Sequence, residues 1–165
     1  TKFYKIDPNL SITLETEYAN QYNGGGNDAL IDGILGTQDF RTGTWQGYHN
    51  TDLIATVDLG KETHVNLVTI NFLEDQRSWI FYPTEVACFG SNDGKAFTPI
   101  DSLRASENIS PNENVEIKQF HFKQVPKKYR YIKIKAKTLG ELPKWHLGHE
   151  HDGRSWLFAD EITIK

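Results

Sequence analysis

An apolar residue at every second position limits this chain more than any other feature. Ala55, Val57 and Leu59 alternate with polar neighbours, and Ile132, Ile134 and Ala136 alternate with Lys133, Lys135 and Lys137. A period of two separates the two faces of an extended strand, so these segments read as half-buried strands. The same character recurs at residues 11–17, 64–72, 84–90, 115–122 and 158–164. Within 115–122 the phase changes from Val115 and Ile117 to Phe120 and Phe122, which predicts a bulge or a bend. No window sustains helical periodicity, and the one helical turn expected is a short one around Asp28 to Ile31. Gly24-Gly25-Gly26, Asn92-Asp93-Gly94, Ser110-Pro111-Asn112 and Asp152-Gly153 interrupt the strand patterns with turn chemistry. Many short strands with turns between them predict an all-β sandwich or barrel.

With 165 residues the chain fits one domain, 1–165, burying roughly 70% of its unfolded surface without staples. Its single cysteine, Cys88, has no intramolecular partner and sits among Val86, Ala87 and Phe89, so a buried strand thiol is expected. Lys and Arg total 18 against 22 Asp and Glu, a net charge of -4 with the signs interspersed, which disfavours nucleic acid and anionic membranes as partners. No apolar run reaches the ~20 residues of a membrane helix, and Thr1-Lys2-Phe3-Tyr4 lacks the layout of a signal peptide. There is no methionine, as expected of a processed product or an excised piece of a longer chain.

Three constellations bear chemistry. Ala29-Leu30-Ile31-Asp32-Gly33-Ile34-Leu35-Gly36-Thr37 pairs with the distant Ala159-Asp160-Glu161. A tight loop can turn carbonyls inward while Asp32, Thr37 and a carboxylate from another strand complete an oxygen cage for calcium; the alternative is an ordinary solvated loop. The second is a density of aromatic and polar residues in expected loops: Phe40-Arg41, Trp45-Gln46-Gly47-Tyr48-His49, Glu74-Asp75-Gln76-Arg77-Ser78-Trp79, and Trp145-His146 through Arg154-Ser155-Trp156. Sugars offer C–H faces to aromatic rings and hydroxyl pairs to carboxylate, amide and guanidinium groups, so this mixture suits a glycan site. Tryptophans also serve as semi-buried plugs, and for each of the four both roles stay open. The third, His146-Leu147-Gly148-His149-Glu150-His151-Asp152, has the look of a zinc cluster. It lacks a cysteine partner, a helical i, i+4 pair and HExxH, so a polar loop is expected. Nucleophilic catalysis finds no GxSxG elbow, and Glu74 and Asp75, adjacent on an extended chain, point in opposite directions.

Several motifs together resemble the discoidin family, also called the coagulation factor 5/8 type C domain, which overlaps with the family 32 carbohydrate-binding modules. They are Ala29-Leu30-Ile31-Asp32-Gly33, Thr44-Trp45, Val57-Asp58-Leu59-Gly60, residues 65–70, Ser91-Asn92-Asp93-Gly94-Lys95-Ala96-Phe97, Tyr129-Arg130-Tyr131-Ile132-Lys133-Ile134 and Phe158-Ala159-Asp160-Glu161-Ile162. The resemblance implies an antiparallel jelly-roll β-sandwich of about eight strands. It also implies a structural calcium ion held by backbone oxygens of Ala29, Ile34 and Thr37 with the side chains of Asp32 and Glu161, and it assigns Trp45 to the core. More narrowly, Phe72-Leu73-Glu74-Asp75 with Trp79-Ile80-Phe81-Tyr82-Pro83, and Leu142-Pro143-Lys144-Trp145-His146 with Ser155-Trp156-Leu157-Phe158, are similar to the C-terminal module of bacterial β-N-acetylhexosaminidases, or chitobiases.

The expectation is therefore a non-catalytic carbohydrate-binding module of an exported glycoside hydrolase, periplasmic, cell-surface or secreted. Its catalytic domain would lie elsewhere in the same parent chain. Tyr48, His49, Glu74, Arg77, Trp79, Trp145 and His146 are the expected sugar-binding residues, for a glycan containing N-acetylhexosamine or galactose. The alternative is a structural module that packs on the catalytic domain and has no sugar site.

Overall fold

The computed structural model describes residues 7–105 and 107–165. Among these residues seven strands carry the fold: β1 (Ser11–Leu14), β2 (Gln46–His49), β3 (Leu53–Glu74), β4 (Glu85–Ser91), β5 (Thr98–Arg104), β6 (Glu116–Lys137) and β7 (Trp156–Ile164). The strands pair antiparallel with one another, in the order β2-β7-β3-β6-β4-β5, with β1 against β3, and an isolated parallel bridge joins Ile80 to Trp156. This is the expected all-β, antiparallel jelly-roll arrangement, with β3 and β6 each running unbroken for 22 residues.

Those two long strands make the sandwich. Their shared register shifts between Asp58 and Thr63 and again between Val65 and Leu67. Extra residues at such shifts bend a strand and sharpen its twist. The first half of β3 joins β1 and the second half of β6, which continues to β4 and β5. The second half of β3 joins the first half of β6 and β7, which continues to β2. Side chains of both halves meet in one core: Ala55, Val57, Val86, Ile132 and Ile134 from one, Ile70, Phe72, Phe122, Leu157 and Ala159 from the other. Each large side chain fully buried there contributes about 1.5–3 kcal/mol.

A second, smaller cluster lies outside the β3–β7 half, where Trp45, Leu73, Ile80 and Phe158 pack with Tyr22, Phe40, Val115 and Trp156. Strand alternation produces it: Phe72 and Leu157 face the main core, and their neighbours Leu73 and Phe158 face this one. The sheet is thus buried on both faces here, and the loops over this cluster carry the site.

Four sequence expectations change. Residues 46–49, expected as loop, form β2, whose Gln46, Gly47 and Tyr48 are buried against β7. β5 alternates weakly, with Thr98, Pro99, Asp101, Ser102 and Arg104 exposed, and shows no strand signal in sequence. No register shift falls between Glu116 and Lys123; Ile117 simply points outward at 42% exposure. The phase change there reflects an exposed isoleucine. Residues 28–31 form a turn closed by Ile31 N–H to Asp28 O at 2.9 Å, with no helix. Cys88 is buried as expected, and burial pushes its thiol up to about 12.

Candidate functional site: a tryptophan-lined groove and a carboxylate loop

The groove begins with a short 3-10 turn, Gln76–Ser78, at the end of β3. Asp75 and Ile80 exchange backbone hydrogen bonds at 3.0 Å each, so the segment between them is a closed loop. Trp79 leaves the turn in the left-handed region, φ 67, a conformation that costs a bulky residue on the order of 1 kcal/mol. Its backbone is held there by its own N–H to Gln76 O at 3.0 Å and by Trp156 N–H to its carbonyl at 2.8 Å.

Gln76 is the hub. It is buried, yet its Oε1 accepts from Asn112 N–H at 2.7 Å and its Nε2 donates to Ser110 O at 3.1 Å. Its backbone carbonyl accepts from His146 Nε2 at 2.5 Å. One side chain thereby fastens the loop at 110–112, and its carbonyl fastens the loop at 143–150. His146 Nδ1 accepts from Gly148 N–H at 3.0 Å, so the ring is the tautomer with its hydrogen on Nε2. Gly148 is required: a Cβ there would lie 2.6 Å from Trp79 Cε2 and 2.9 Å from Leu142 Cδ1.

Between the three loops lies a cavity of about 400 Å³, with Trp79, Trp145, Leu147 and Pro111 as apolar walls and Arg77, Asn112 and Glu113 as polar ones. Trp145 is 43% exposed and Leu147 is 90% exposed. Arg77 is exposed and makes no ion pair or hydrogen bond among the described residues. Its donors point to solvent beside two open apolar side chains, the combination a pyranose ring meets best.

The seven residues expected to bind sugar are placed unevenly. Arg77, Trp79, Trp145 and His146 line this one groove. His146 spends both ring nitrogens on the loops, so it acts as a strut whose ring alone faces outward. Glu74 stands behind the groove, nearly buried, where Asn112 Nδ2 reaches its Oε1 at 3.4 Å and Glu116 Oε2 at 3.3 Å. Burial first, and then Glu116 opposite it on β6, raise the Glu74 carboxyl. Tyr48 must be corrected: it is fully buried in the main core, its hydroxyl donating to Gln46 Oε1 at 2.7 Å, and burial raises its pKa. His49 also lies off the groove, stacked on Trp156 at 4.6 Å with Nε2 2.8 Å from Asp152 Oδ2. Gln76 and Leu147, within the expected aromatic-polar loops, also line the groove, and Pro111, Asn112 and Glu113 line it unexpectedly. Ser110-Pro111-Asn112 read only as a turn in sequence, because a turn motif does not say which cavity it closes.

The histidine loop does not gather ligands. His149 Nδ1 lies 2.8 Å from Leu142 O and its Nε2 is 3.9 Å from Glu141, while His151 is exposed. Among the described residues no three His, Cys, Asp or Glu side chains are arranged to hold a metal by themselves. The other oxygen-rich constellation is the loop at 29–37 beside the last strand. There Glu161 Oε2 accepts from Gly33 N–H at 3.0 Å, Asp160 Oδ2 from Gly36 N–H at 2.5 Å, and Asp32 Oδ1 from Ile34 N–H at 2.8 Å. Neighbours on a regular strand point to opposite faces. Asp160 and Glu161 reach the same loop because β7 slips register between Asn71 and Thr69, with Glu161 at φ 30. Burial pushes Asp160 up to about 7 and Glu161 up to about 8, with neighbouring carboxyls adding to both. Asp160 Oδ1 is buried without a hydrogen-bond partner. Three crowded carboxyls, one with an orphaned oxygen, have the donor chemistry of a hard-cation site. Trp45, fully buried, closes the loop's far side by donating Nε1–H to Thr37 O at 2.7 Å.

The fold is thus an antiparallel β-sandwich in which the loop at 29–37 is joined to the last strand. Residues 11–158 match the model of the F5/8 type C domain, and the chain belongs to that family. Among curated proteins none matches it in sequence. Solved structures share the fold at low identity. A family 32 carbohydrate-binding module from Clostridium perfringens, in complex with GalNAc-β-1,3-galactose, is 18% identical with a TM-score of 0.56, over 94% of each chain. A chitosan-binding module from a chitosanase/glucanase of a Paenibacillus species is 13% identical, TM-score 0.58, over 95% of each chain. A fucosidase from Ruminococcus gnavus, in complex with fucose, is 16% identical with a TM-score of 0.61; the match covers 96% of this chain and 25% of that one. No helix among the described residues is long and apolar enough to cross a membrane.

Proposed function

We propose that this chain is a non-catalytic glycan-binding module and that the groove between residues 76–79, 110–113 and 145–147 is its sugar site. One observation carries the reading: exposed Trp145 and unpartnered Arg77 open onto the same cavity. A sugar ring stacks on Trp145, with Leu147 and Trp79 enclosing its apolar face. Arg77 donates to a hydroxyl pair and Glu113 accepts at the rim. Gln76, Asn112 and His146 hold the loops in place. The solved relatives include modules bound to or named for a sugar, which supports the class of ligand. The resemblance to chitobiase C-terminal modules favours a glycan containing N-acetylhexosamine or galactose, and an exported β-N-acetylhexosaminidase as the parent chain.

Calcium belongs to the same proposal as a structural ion. Asp32 and Glu161 would hold it with carbonyls of Ala29, Ile34 and Thr37, and its charge would let the crowded carboxyls ionise together. The ion ties the loop at 29–37 to β7 and takes no part in sugar contact.

Titration with N-acetylglucosamine, N-acetylgalactosamine and galactose, followed by tryptophan fluorescence with calcium present, tests the reading. A saturable change in the millimolar range or tighter, lost in Trp145→Ala, is expected, millimolar affinity being about 4 kcal/mol. A flat response to all three sugars would transfer support to a packing module, with Trp145 and Leu147 as its contact with the catalytic domain.

A further inference from the structure

The turn Gln76–Ser78 has two sides. In a 3-10 turn, residues three apart eclipse one another. Gln76 and Trp79 therefore stand on the groove side, and Asp75 and Ser78 stand on the other. Arg77 is at the crest between them. Beyond the crest lies a second cavity of about 460 Å³, lined by Asp75 and Ser78, by Asp39, Phe40 and Arg41 from the loop before β2, and by Arg77 itself. Arg77 belongs to both cavities.

The second cavity is built from opposed charges. Arg41 Nε donates to Asp39 Oδ1 at 2.9 Å, Asp75 adds to the field on Arg41, and Ser78 Oγ donates to Asp75 Oδ2 at 3.1 Å. The loop that brings Asp39 and Arg41 here is fixed at both ends: Gln38 Nε2 donates to Val115 O at 3.0 Å, and the Phe40 ring packs on Phe158 at 5.6 Å. Two carboxylates and two guanidiniums cancel, so the cavity offers acceptors and donors without net charge. That suits vicinal hydroxyls of a neutral sugar better than a phosphate or a uronate.

We infer that this cavity is a second sugar subsite, so that the module takes a neutral oligosaccharide laid across Arg77, with one ring on Trp145 and the next against Asp75 and Arg41. The inference rests on the glycan reading of the first groove. Two linked rings held at once gain affinity over one, because the second contact is made at no further translational cost.

Calorimetry of the whole chain tests it with two pairs of probes: N-acetylglucosamine against its β-1,4-linked dimer, and galactose against GalNAc-β-1,3-galactose. At least one disaccharide is expected to bind tenfold or more tightly than its monosaccharide. Arg41→Ala and Asp75→Asn should each erase most of that gain and leave monosaccharide affinity within about twofold, with melting temperatures showing that both variants fold. A monosaccharide that binds with no gain for its dimer, or a gain that survives both substitutions, overturns the second subsite alone. No binding by any of the four sugars overturns the glycan reading and this inference together.

Discussion

At the scale of single residues, side chains of one type divide into binder and strut according to what they touch. Trp45 and Trp145 show it. Trp45 spends its N–H on Thr37 and is buried, whereas Trp145 leaves 43% of itself to solvent over the groove. Trp145→Ala is expected to weaken sugar binding tenfold or more and to shift the melting temperature by no more than about 3 °C, since little packing is lost. Gly148→Ala should do the reverse damage. Its new methyl would press on Trp79 and Leu142 at under 3 Å, costing about 1–3 kcal/mol of stability in denaturant unfolding. Cys88, buried with its thiol pushed up to about 12, should stay unlabelled by a thiol reagent at pH 8 until denaturant is added.

At the scale of elements, the bends in β3 and β6 decide where loops end up. The strands are pinned just before the first register shift by Arg130 on β6, which grips Asp58 on β3 through two hydrogen bonds at 3.0 and 3.1 Å. The side-chain hydrogen bonds from Arg130 lower the Asp58 carboxyl below its ordinary value. A carboxylate with a depressed folded-state pKa stabilises the fold at pH above the unfolded value of 3.8, and that contribution fades as pH falls through the lower folded value. Asp58→Asn should therefore cost stability at pH 7 and less at pH 2. The pair is partly exposed, 41% for Arg130 and 26% for Asp58, so the loss at pH 7 should be about 0.5–1 kcal/mol, smaller in high salt. Urea unfolding at the two pH values checks it.

At the scale of the whole molecule, the loop at 29–37 and the last strand close the chain on itself, with Ile162 N–H to Leu30 O at 2.6 Å beside the carboxylates. If calcium is held there as proposed, it would stabilise the folded state by mass action, because the unfolded chain does not bring these oxygens together. Calcium should raise the melting temperature by several degrees and chelator should reverse it, with sugar affinity little changed. Glu161→Gln and Asp32→Asn should each remove most of the calcium-dependent shift. A melting temperature indifferent to calcium in the unaltered chain would exclude the ion.

Most of the all-β architecture was legible in the residues, because alternation and turn chemistry act over a few positions and tolerate substitution. The family motifs pointed to the loop at 29–37, to Glu161 and to the core role of Trp45 for the same reason: each is a short run with its own local geometry. Three of the groove's walls were also visible as tryptophan and arginine in expected loops. Tertiary structure alone decided that Tyr48 faces the core, because β2 pairs with a strand far away in the chain: Gln46 pairs with Ala159 and His49 with Trp156. It alone made Gln76 a hub and set Asn112 in the groove, since a hydrogen bond between distant loops leaves no local pattern. Asp160 joined Glu161 only through a register slip of β7, and a slip is set by what both strands must bury, which no single segment records.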